Sequence, residues 1–587
     1  GRDIGTPWGE GNSGDIDTAL ATLKQTVEQD VERGQGQNRP SPRAADHLAR
    51  ATKRDWIETL DRDAVFEGVK HAIDYAVVKQ AGMDRIRPKQ IWGGGPPGLH
   101  NHGFLARAFA ILSDDFEERG LMSESIPDHP EDITRREAYA DFWESAWKWR
   151  AGDRRGITNQ IQIVTEALVA MADALEILAP DRAPPQEKVD AWIDQAIGIA
   201  PMRKLQGEGK PKKRFKSGVF HCLSEAGLNR ETRYAAGHGL SPLMVLPRLV
   251  EDTGLDRVKN RLKKVVEGYG WFRWRGVALN DNRRRVSMQS SWLGCRGTAW
   301  PSTAHYKTWL GYSRAPAALD VLGSNAEIAK RWSELMIEDG AVFDSYEGAV
   351  ERLYHRIHMY DGLRKLKDME PSTYKLPFER ARAVFGDPDQ AMVSITDGDV
   401  RLHVSLGHNH GTHASNIARF DYQGPKSDRA GTTLLRRHEF PLDKTVKRPN
   451  GVVHYGRGLE RWGLSKPYLP WRGGHGKVNQ YLARDDVPES EVQIAARADG
   501  GSWPNRAIYS HKGFTYFYRE VDIGPYRIGI NPTGDDQGVQ RGFGPDQTFK
   551  MEVPDGGAID LATGEKVTGE TITVGPRETR VLKALSR

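Results

Sequence analysis

The sequence predicts an all-α domain followed by an all-β domain. Two observations and a join predict it: helical periodicity up to about residue 370, strict alternation after about 388, and a Pro-rich, charged stretch between them. In the first part, segments of roughly 12 to 20 residues repeat apolar side chains at three and four, separated by Gly, Pro and Asp-rich turns. They include HGFLARAFAILSDDFEE, REAYADFWESAWKWR, TNQIQIVTEALVAMADALEIL (158–178) and NAEIAKRWSELMIED. About a dozen or more such helices with short links must curl into a solenoid or close into a ring to bury both faces. From 388 onward QAMVSIT, VRLHVSL, IARFDY, EVQIAAR, FTYFYREV, YRIGIN, TFKMEV and TRVLKAL read as period-two strands, most simply an antiparallel sandwich. The expected division is 1–370 helical, 371–388 linker and 389–587 β.

Length and composition narrow the class. At 587 residues, 38% hydrophobic and 28% charged, the chain reads as globular and multidomain. It has no apolar run of the ~18 residues that a membrane span needs, so no membrane partner is expected. The opening GRDIGTPWGEGNSG has no basic-then-apolar signal pattern, which fits a cytoplasmic protein and equally a mature chain whose signal has been removed. Two cysteines, Cys222 and Cys295, exclude a four-cysteine or Cys2His2 zinc site and leave their pairing open. A net charge of +5 with interleaved acids and bases argues against a nucleic-acid partner. The clusters KPKKRFK (210–216) and DNRRRV (281–286) are either solvated turns or part of a groove for a polyanion.

The chemistry concentrates around FHCLSEAGLNRETRYAAGHG, where His221, Tyr234 and His238 precede the apolar run LSPLMVLPRL. Upstream, Asn159 opens an apolar helix; downstream lies the Arg- and Trp-rich WFRWRGVALNDNRRRVS (271–287). Asn, His, Tyr and Arg suit β-elimination at a uronic acid. The proton beside the sugar carboxylate is removed only if that carboxylate is neutralised by donors already in place. A neutral His or a Tyr phenolate takes the proton, and a Tyr or His returns one to the leaving oxygen.

These residues resemble the hyaluronate, chondroitin and xanthan lyases of the α/α-toroid type. There, GSF-x-QH is followed by Y-x-G-x-YG, then GLS-x-L and an apolar helix; here SGVFH, YAAGHG and LSPLMVLPRL stand in that order. The resemblance spans essentially the whole chain and implies an incomplete (α/α) toroid followed by an antiparallel β-sandwich. It implies catalytic roles for Asn159, His221, Tyr234 or His238, and Arg284. Asn159 and Arg284 neutralise the carboxylate, and His221 is the leading base. Two departures stand out: His238 occupies the family's tyrosine position, and QIQ follows Asn159 where the family has a Trp pair. Each residue also has a structural use, Asn159 as a helix-start residue, His221 as a core histidine, Tyr234 as a packing ring and Arg284 in a surface ion pair.

In LGHNHGTHASNIARFDYQG (406–424), His408 and His410 are two apart and share a strand face, with His413 within reach. A metal at these three, a substrate rim and a surface turn are all open. Heparinase- and alginate-type toroid lyases carry similar His-rich strands, which favours a rim with Asn409 and His410 touching substrate. In IWGGGPPGLHNHG (91–103), Trp92 and His102 are candidate sugar contacts, and Arg285 beside Arg284 is another. That loop lacks the Lys-Ser/Thr of a nucleotide-binding P-loop. The expected function is a polysaccharide lyase that needs no cofactor and acts on an acidic, uronate-containing glycan, with a secreted or periplasmic location following from that substrate. The rival readings are a toroid glycoside hydrolase with a carboxylate pair, such as Asp344 and Glu166, and a non-catalytic glycan-binding protein.

Overall fold

A computed structural model describes residues 15–83, 86, 91, 100–152, 158–201, 221–229, 241–271, 273–275, 287–289, 314–323, 326–338, 353–388, 392–398, 400–405, 407–409, 418–422, 431–435, 442–448, 451–456, 472–473, 476–477, 505–509, 515–523, 525–531 and 548–585. Among them are twelve α-helices: α1 (Ile16–Gln35), α2 (Pro42–Ala51), α3 (Arg62–Ala81), α4 (Asn101–Glu118), α5 (Arg135–Gly152), α6 (Thr158–Leu178), α7 (Gln186–Ala196), α8 (Ser241–Thr253), α9 (Asp256–Trp271), α10 (Arg314–Leu322), α11 (Glu327–Glu338) and α12 (Leu353–Lys367). No described helix is long and apolar enough to cross a membrane.

Local signals set where the helices begin. Ser41 caps α2 by accepting from the Ala44 amide, with Pro42 in the first turn, where its missing N–H costs nothing. Asp61 does the same for α3 through the Ala64 amide. Ahead of α5, the Thr134 amide donates to Glu137 and the Glu137 amide to the Thr134 hydroxyl, a reciprocal cap that satisfies two orphan donors.

The even-numbered helices pack in sequence, α2 on α4, α4 on α6, α6 on α8, α8 on α10 and α10 on α12, and α12 returns to α2. The odd-numbered helices lie against them: α3 touches α2 and α4, α9 touches α8 and α10, and α1 bridges α12 and α2. Arg257 of α9 ties α9 to α7 through Asp190 and Asp194. Backbones approach closely where α4 crosses α6 and where α12 crosses α10, because a Cβ on Gly103 would collide with the Ala167 backbone and one on Gly362 with the Pro316 carbonyl. Asp361 of α12 accepts from Arg54 Nε and Trp56 Nε1, in the turn that follows α2, each at 2.8 Å.

At the centre of the cycle lies a buried ion network fed by every even-numbered helix. Arg50 of α2 donates to Asp46 at 3.2 Å, to Asp252 of α8 at 2.8 Å, and to Glu251. Arg107 of α4 reaches Asp252 at 2.8 Å and Glu166 of α6 at 3.3 Å, and Arg248 of α8 reaches Glu166 at 3.2 Å. His358 of α12 holds Asp320 of α10 at 2.5 Å and lies 3.4 Å from Glu251. Arg50 and Asp46 are buried to 2% and 0% exposure, so their charges survive only because they are paired. Burial alone would lower the His358 pKa, but the two carboxylates outweigh it and raise it.

Among the described residues the β part holds two large antiparallel sheets and two two-stranded ribbons, β11 (Arg472–Gly473) with β12 (Gly476–Lys477) and β16 (Phe549–Glu552) with β19 (Thr571–Val574). One large sheet has five strands in the order β3 (Arg382–Asp387), β4 (Met392–Asp397), β5 (Val400–Ser405), β7 (Ala418–Tyr422), β8 (Gly431–Leu435). The other runs β18 (Lys566–Val567), β17 (Ala558–Asp560), β20 (Thr579–Ala584), β15 (Tyr526–Ile530), β14 (Thr515–Ile523), β13 (Asn505–Tyr509), β10 (Gly451–Gly456), β9 (Leu442–Arg448), and β6 (Gly407–Asn409) also pairs with β14. The sheets meet where β3 lies against β20, and Asp397 accepts from Tyr526 at 2.8 Å and Lys583 at 2.6 Å. Trp271 at the end of α9 stacks on Phe385 of β3 at 5.4 Å, and its carbonyl accepts from Ser394. These contacts seat the first sheet on the helices.

Two sequence expectations change. β3 falls inside the 371–388 stretch assigned to a linker, where the alternation is short and its partner strand lies beyond the join. A two-stranded ribbon, β1 (Arg273–Arg275) with β2 (Ser287–Gln289), interrupts the region expected to be helical throughout. The expected strand EVQIAAR lies outside the described residues.

Replacing Arg50 by Ala removes the shared partner of three carboxylates, of which Asp46 is fully buried. Denaturant unfolding of Arg50→Ala is expected to show a loss of about 3–5 kcal/mol. His358 has a raised folded pKa, so its contribution is complete below the ordinary histidine range (~6.5) and is lost as pH rises through the raised value. Unfolding midpoints across that range are expected to fall with rising pH more steeply in the native chain than in His358→Gln.

Candidate active site

The site is built where the first turn of α6, the end of α7 and the turn 221–229 meet. Asn159 is the second residue of α6, and Ile161, one residue further along than Gln160, packs on Cys222 in a small buried pair. The first turn of α6 and the turn that bears His221 therefore touch. Gln162, on the same stretch of α6, donates to the Ala196 carbonyl at the end of α7 at 3.3 Å.

His221 is buried, and its Nδ1 lies 2.9 Å from the Gly198 carbonyl. A carbonyl only accepts, so Nδ1 carries a proton, and in the neutral ring the lone pair is on Nε2. That tautomer makes Nε2 the basic nitrogen. Gly198 has φ +73°, and a Cβ there would sit 2.7 Å from the Leu223 amide nitrogen, so backbone geometry and close approach both require glycine.

The turn itself is pinned by Arg261 of α9, buried to 7% exposure. It donates to the carbonyls of Ile197 (2.8 Å), Leu223 (3.4 Å), Glu225 (3.4 Å) and Ser224. A Leu223–Asn229 bridge closes the turn. Glu225 on its outer side pairs at 3.5 Å with Arg577, from the connection between β19 (Thr571–Val574) and β20. The β part thus reaches the segment that holds His221.

The other candidates separate into three groups. Tyr234, His238, Arg284, Arg285, Trp92, His410 and His413 lie outside the described residues, as does Asp344. His408 and Asn409 lie on β6, opposite Tyr516 and Thr515 of β14, so the strand expected in that stretch is present. His102 is corrected. It is 1% exposed, with Nε2 donating to Gln80 Oε1 at 3.0 Å and its ring against Phe142 and Trp149. Burial and the nearby Arg150 push its pKa down to about 3. It is a neutral core histidine with no face for a sugar. Glu166 is held between Arg107 and Arg248, which makes it an ion-pair partner rather than half of a hydrolase's carboxylate pair.

A second cluster was not foreseen. Around Phe104 of α4 stand His100, stacked at 5.1 Å, and the guanidinium carbons of Arg43 and Arg248, each 5.5 Å from the ring centroid. Arg248 also lies 4.6 Å over the Tyr354 ring of α12. Burial, then Arg43, Arg248, Arg107 and Arg150, hold His100 well below the usual histidine pKa. Arg248 sits in the apolar run LMVLPRLV, and that lone charge among apolar neighbours was the available signal.

No protein-family model matches the chain, and no curated protein sequence matches it. The solved structures it resembles include a chondroitin AC lyase from Streptomyces coelicolor A3 in complex with chondroitin sulphate. That likeness has 11% identity and a TM-score of 0.41 and covers 97% of this chain and 80% of that one. A tyrosine-to-alanine mutant of the same lyase matches at 10% identity and a TM-score of 0.44, covering 96% of each chain. At such scores the functional reading rests on this chain's own residues.

Gly198→Ala is expected to lower stability by about 1–3 kcal/mol, since alanine strains a positive φ. The imidazole NMR signals of His221 are expected to shift with it, because the Gly198 carbonyl that sets the tautomer moves. Unchanged signals would break the link between the two residues.

Proposed function

We propose that this protein is a polysaccharide lyase that cleaves a uronate-containing glycan by β-elimination. The observation that carries the reading is His221, held with Nδ1–H on the Gly198 carbonyl and Nε2 as the basic nitrogen, beside the first turn of α6 that bears Asn159. The motif order Asn159, His221, Tyr234 or His238, Arg284 supports it. So does the cycle of helix contacts, which we read as an (α/α) toroid over residues 1–370, with the two large sheets that begin at β3 as a β-sandwich.

In the proposed reaction, Asn159 and Arg284 neutralise the substrate carboxylate, which acidifies the proton on the adjacent carbon. His221 Nε2 takes that proton. The electron pair forms a carbon–carbon double bond as the glycosidic carbon–oxygen bond breaks. Tyr234 or His238 protonates the departing oxygen, so one proton is taken and one returned. The elimination uses only side chains of this chain. Asn409 and His410 would meet the sugar from the β side, with Trp92 and Arg285 as further contacts. A secreted or periplasmic location suits a polymer of this kind.

Uronate polymers incubated with the protein are expected to yield products absorbing in the ultraviolet from the new conjugated double bond. Asn159→Ala and His221→Ala are each expected to reduce the rate by roughly 10²–10⁴ with the fold intact by circular dichroism. Release of reducing ends without absorbance, on every uronate polymer, would instead indicate a hydrolase.

A further inference from the structure

We propose that Arg577 is a positioning residue of the site: through its ion pair with Glu225 it latches the β part onto the turn that carries His221. The latch stands on geometry alone; its effect on turnover rests on the lyase reading.

The first of the two turns that meet here belongs to the β part. The Glu578 amide donates to the Gly575 carbonyl at 3.3 Å, and the Gly575 amide to the Glu578 carboxylate at 2.6 Å. Buried Asn531, just beyond β15, ties the two ends together. Its backbone amide donates to the Glu578 carbonyl at 2.8 Å and its side chain to the Val574 carbonyl at 3.1 Å. Pro576 and Arg577 fill the tip, and Arg577 has φ +61°. Positive φ at the second central position of a tight turn ordinarily calls for Gly or Asn, because a Cβ crowds the neighbouring carbonyl. The backbone of this tip therefore disfavours arginine. What arginine supplies there is a guanidinium, 3.5 Å from the Glu225 carboxylate.

The second turn belongs to the helical part and is equally firm. The Ser224 amide donates to the Leu228 carbonyl at 2.8 Å, and the Leu228 amide to the Ser224 hydroxyl at 3.0 Å. It is seated on α9, since a Cβ on Gly227 would lie 2.6 Å from the Lys264 carbonyl and one on Gly268 2.7 Å from that of Ala226. Arg261 holds three of its carbonyls from within. Two braced turns joined by one charge pair cannot drift independently, so the pair sets the spacing between them.

The pair is built to be separable. Glu225 is 64% exposed, so salt screens it. Another junction of the two parts, Trp271 stacked on Phe385 with its carbonyl accepting from Ser394, has no charge to screen. Ionic strength therefore acts on the contact nearest His221.

Hydrogen exchange of the full chain without substrate, read by mass spectrometry, tests the latch. Exchange across 221–229 is expected to rise about two- to fivefold in Arg577→Gln and in Glu225→Gln. The double variant is expected to rise no further, and Arg577→Glu combined with Glu225→Arg to restore protection. Arg577→Gly relieves the positive φ, so its unfolding midpoint is expected to hold or rise while the same exchange still increases. Unchanged exchange in Arg577→Gln, a double variant equal to the product of the singles, or an increase that follows a falling midpoint would each overturn the latch. On a uronate polymer that the protein cleaves, Arg577→Gln is expected to lower kcat about two- to fivefold at unchanged KM. A raised KM at unchanged kcat would make Arg577 a substrate contact, and no change in either would leave the pair purely structural; both overturn the positioning role. If no polymer is cleaved, the lyase reading fails while the exchange arm still decides the latch.

Discussion

The helical cycle depends on one interaction, the buried network around Arg50. The cycle must bring α12 back to α2 across most of the sequence, and the network ties both of those helices to α8. Arg50 joins α2 to α8, Arg107 joins α4 to α6 and α8, and His358 joins α12 to α10 and α8. Such groups add little net stability over an apolar core of the same shape, but they punish any arrangement that separates a buried charge from its partner. The network therefore favours one order of helices over neighbouring ones.

The same closure positions the chemistry. The even-numbered helices pack side by side, and Asn159 lies in the first turn of one of them, α6. His221 does not lie on a helix. It depends on a carbonyl just beyond the end of α7 and on the turn that Arg261 of α9 pins, so α7 and α9 hold its imidazole in place. The buried pair Ile161 and Cys222 sets its distance from α6.

Much of this was legible in the sequence, and the failures have physical causes. TNQIQIVTEALVAMADALEIL is read over the very residues that form α6, because its apolar spacing and length leave no rival. Most of the alternating segments form strands for the same reason. The ribbon β1–β2 was missed because three-residue strands are too short to show a period. His102 misled because HNHG beside a Gly-Pro loop looks polar, whereas the helix turns that histidine into the core and gives it Gln80 as partner. The network was legible only as a hint: Asp46 and Arg50 at i and i+4, and Arg248 with Glu251 and Asp252 at i+3 and i+4, lie on otherwise apolar faces. Nothing in one sequence says that charges on α2 and α8 meet. Gly198 gave no sign of its role, since its need for glycine arises from Leu223, across a turn.

The claim most open to direct test is that the bond is broken by elimination rather than by water. Cleavage of a uronate oligosaccharide in heavy-oxygen water, read by mass spectrometry, separates the two. Elimination predicts fragments whose masses sum to that of the substrate, with no heavy oxygen incorporated. One heavy oxygen per cut, with the mass of water gained, would contradict the account and return the site to hydrolysis.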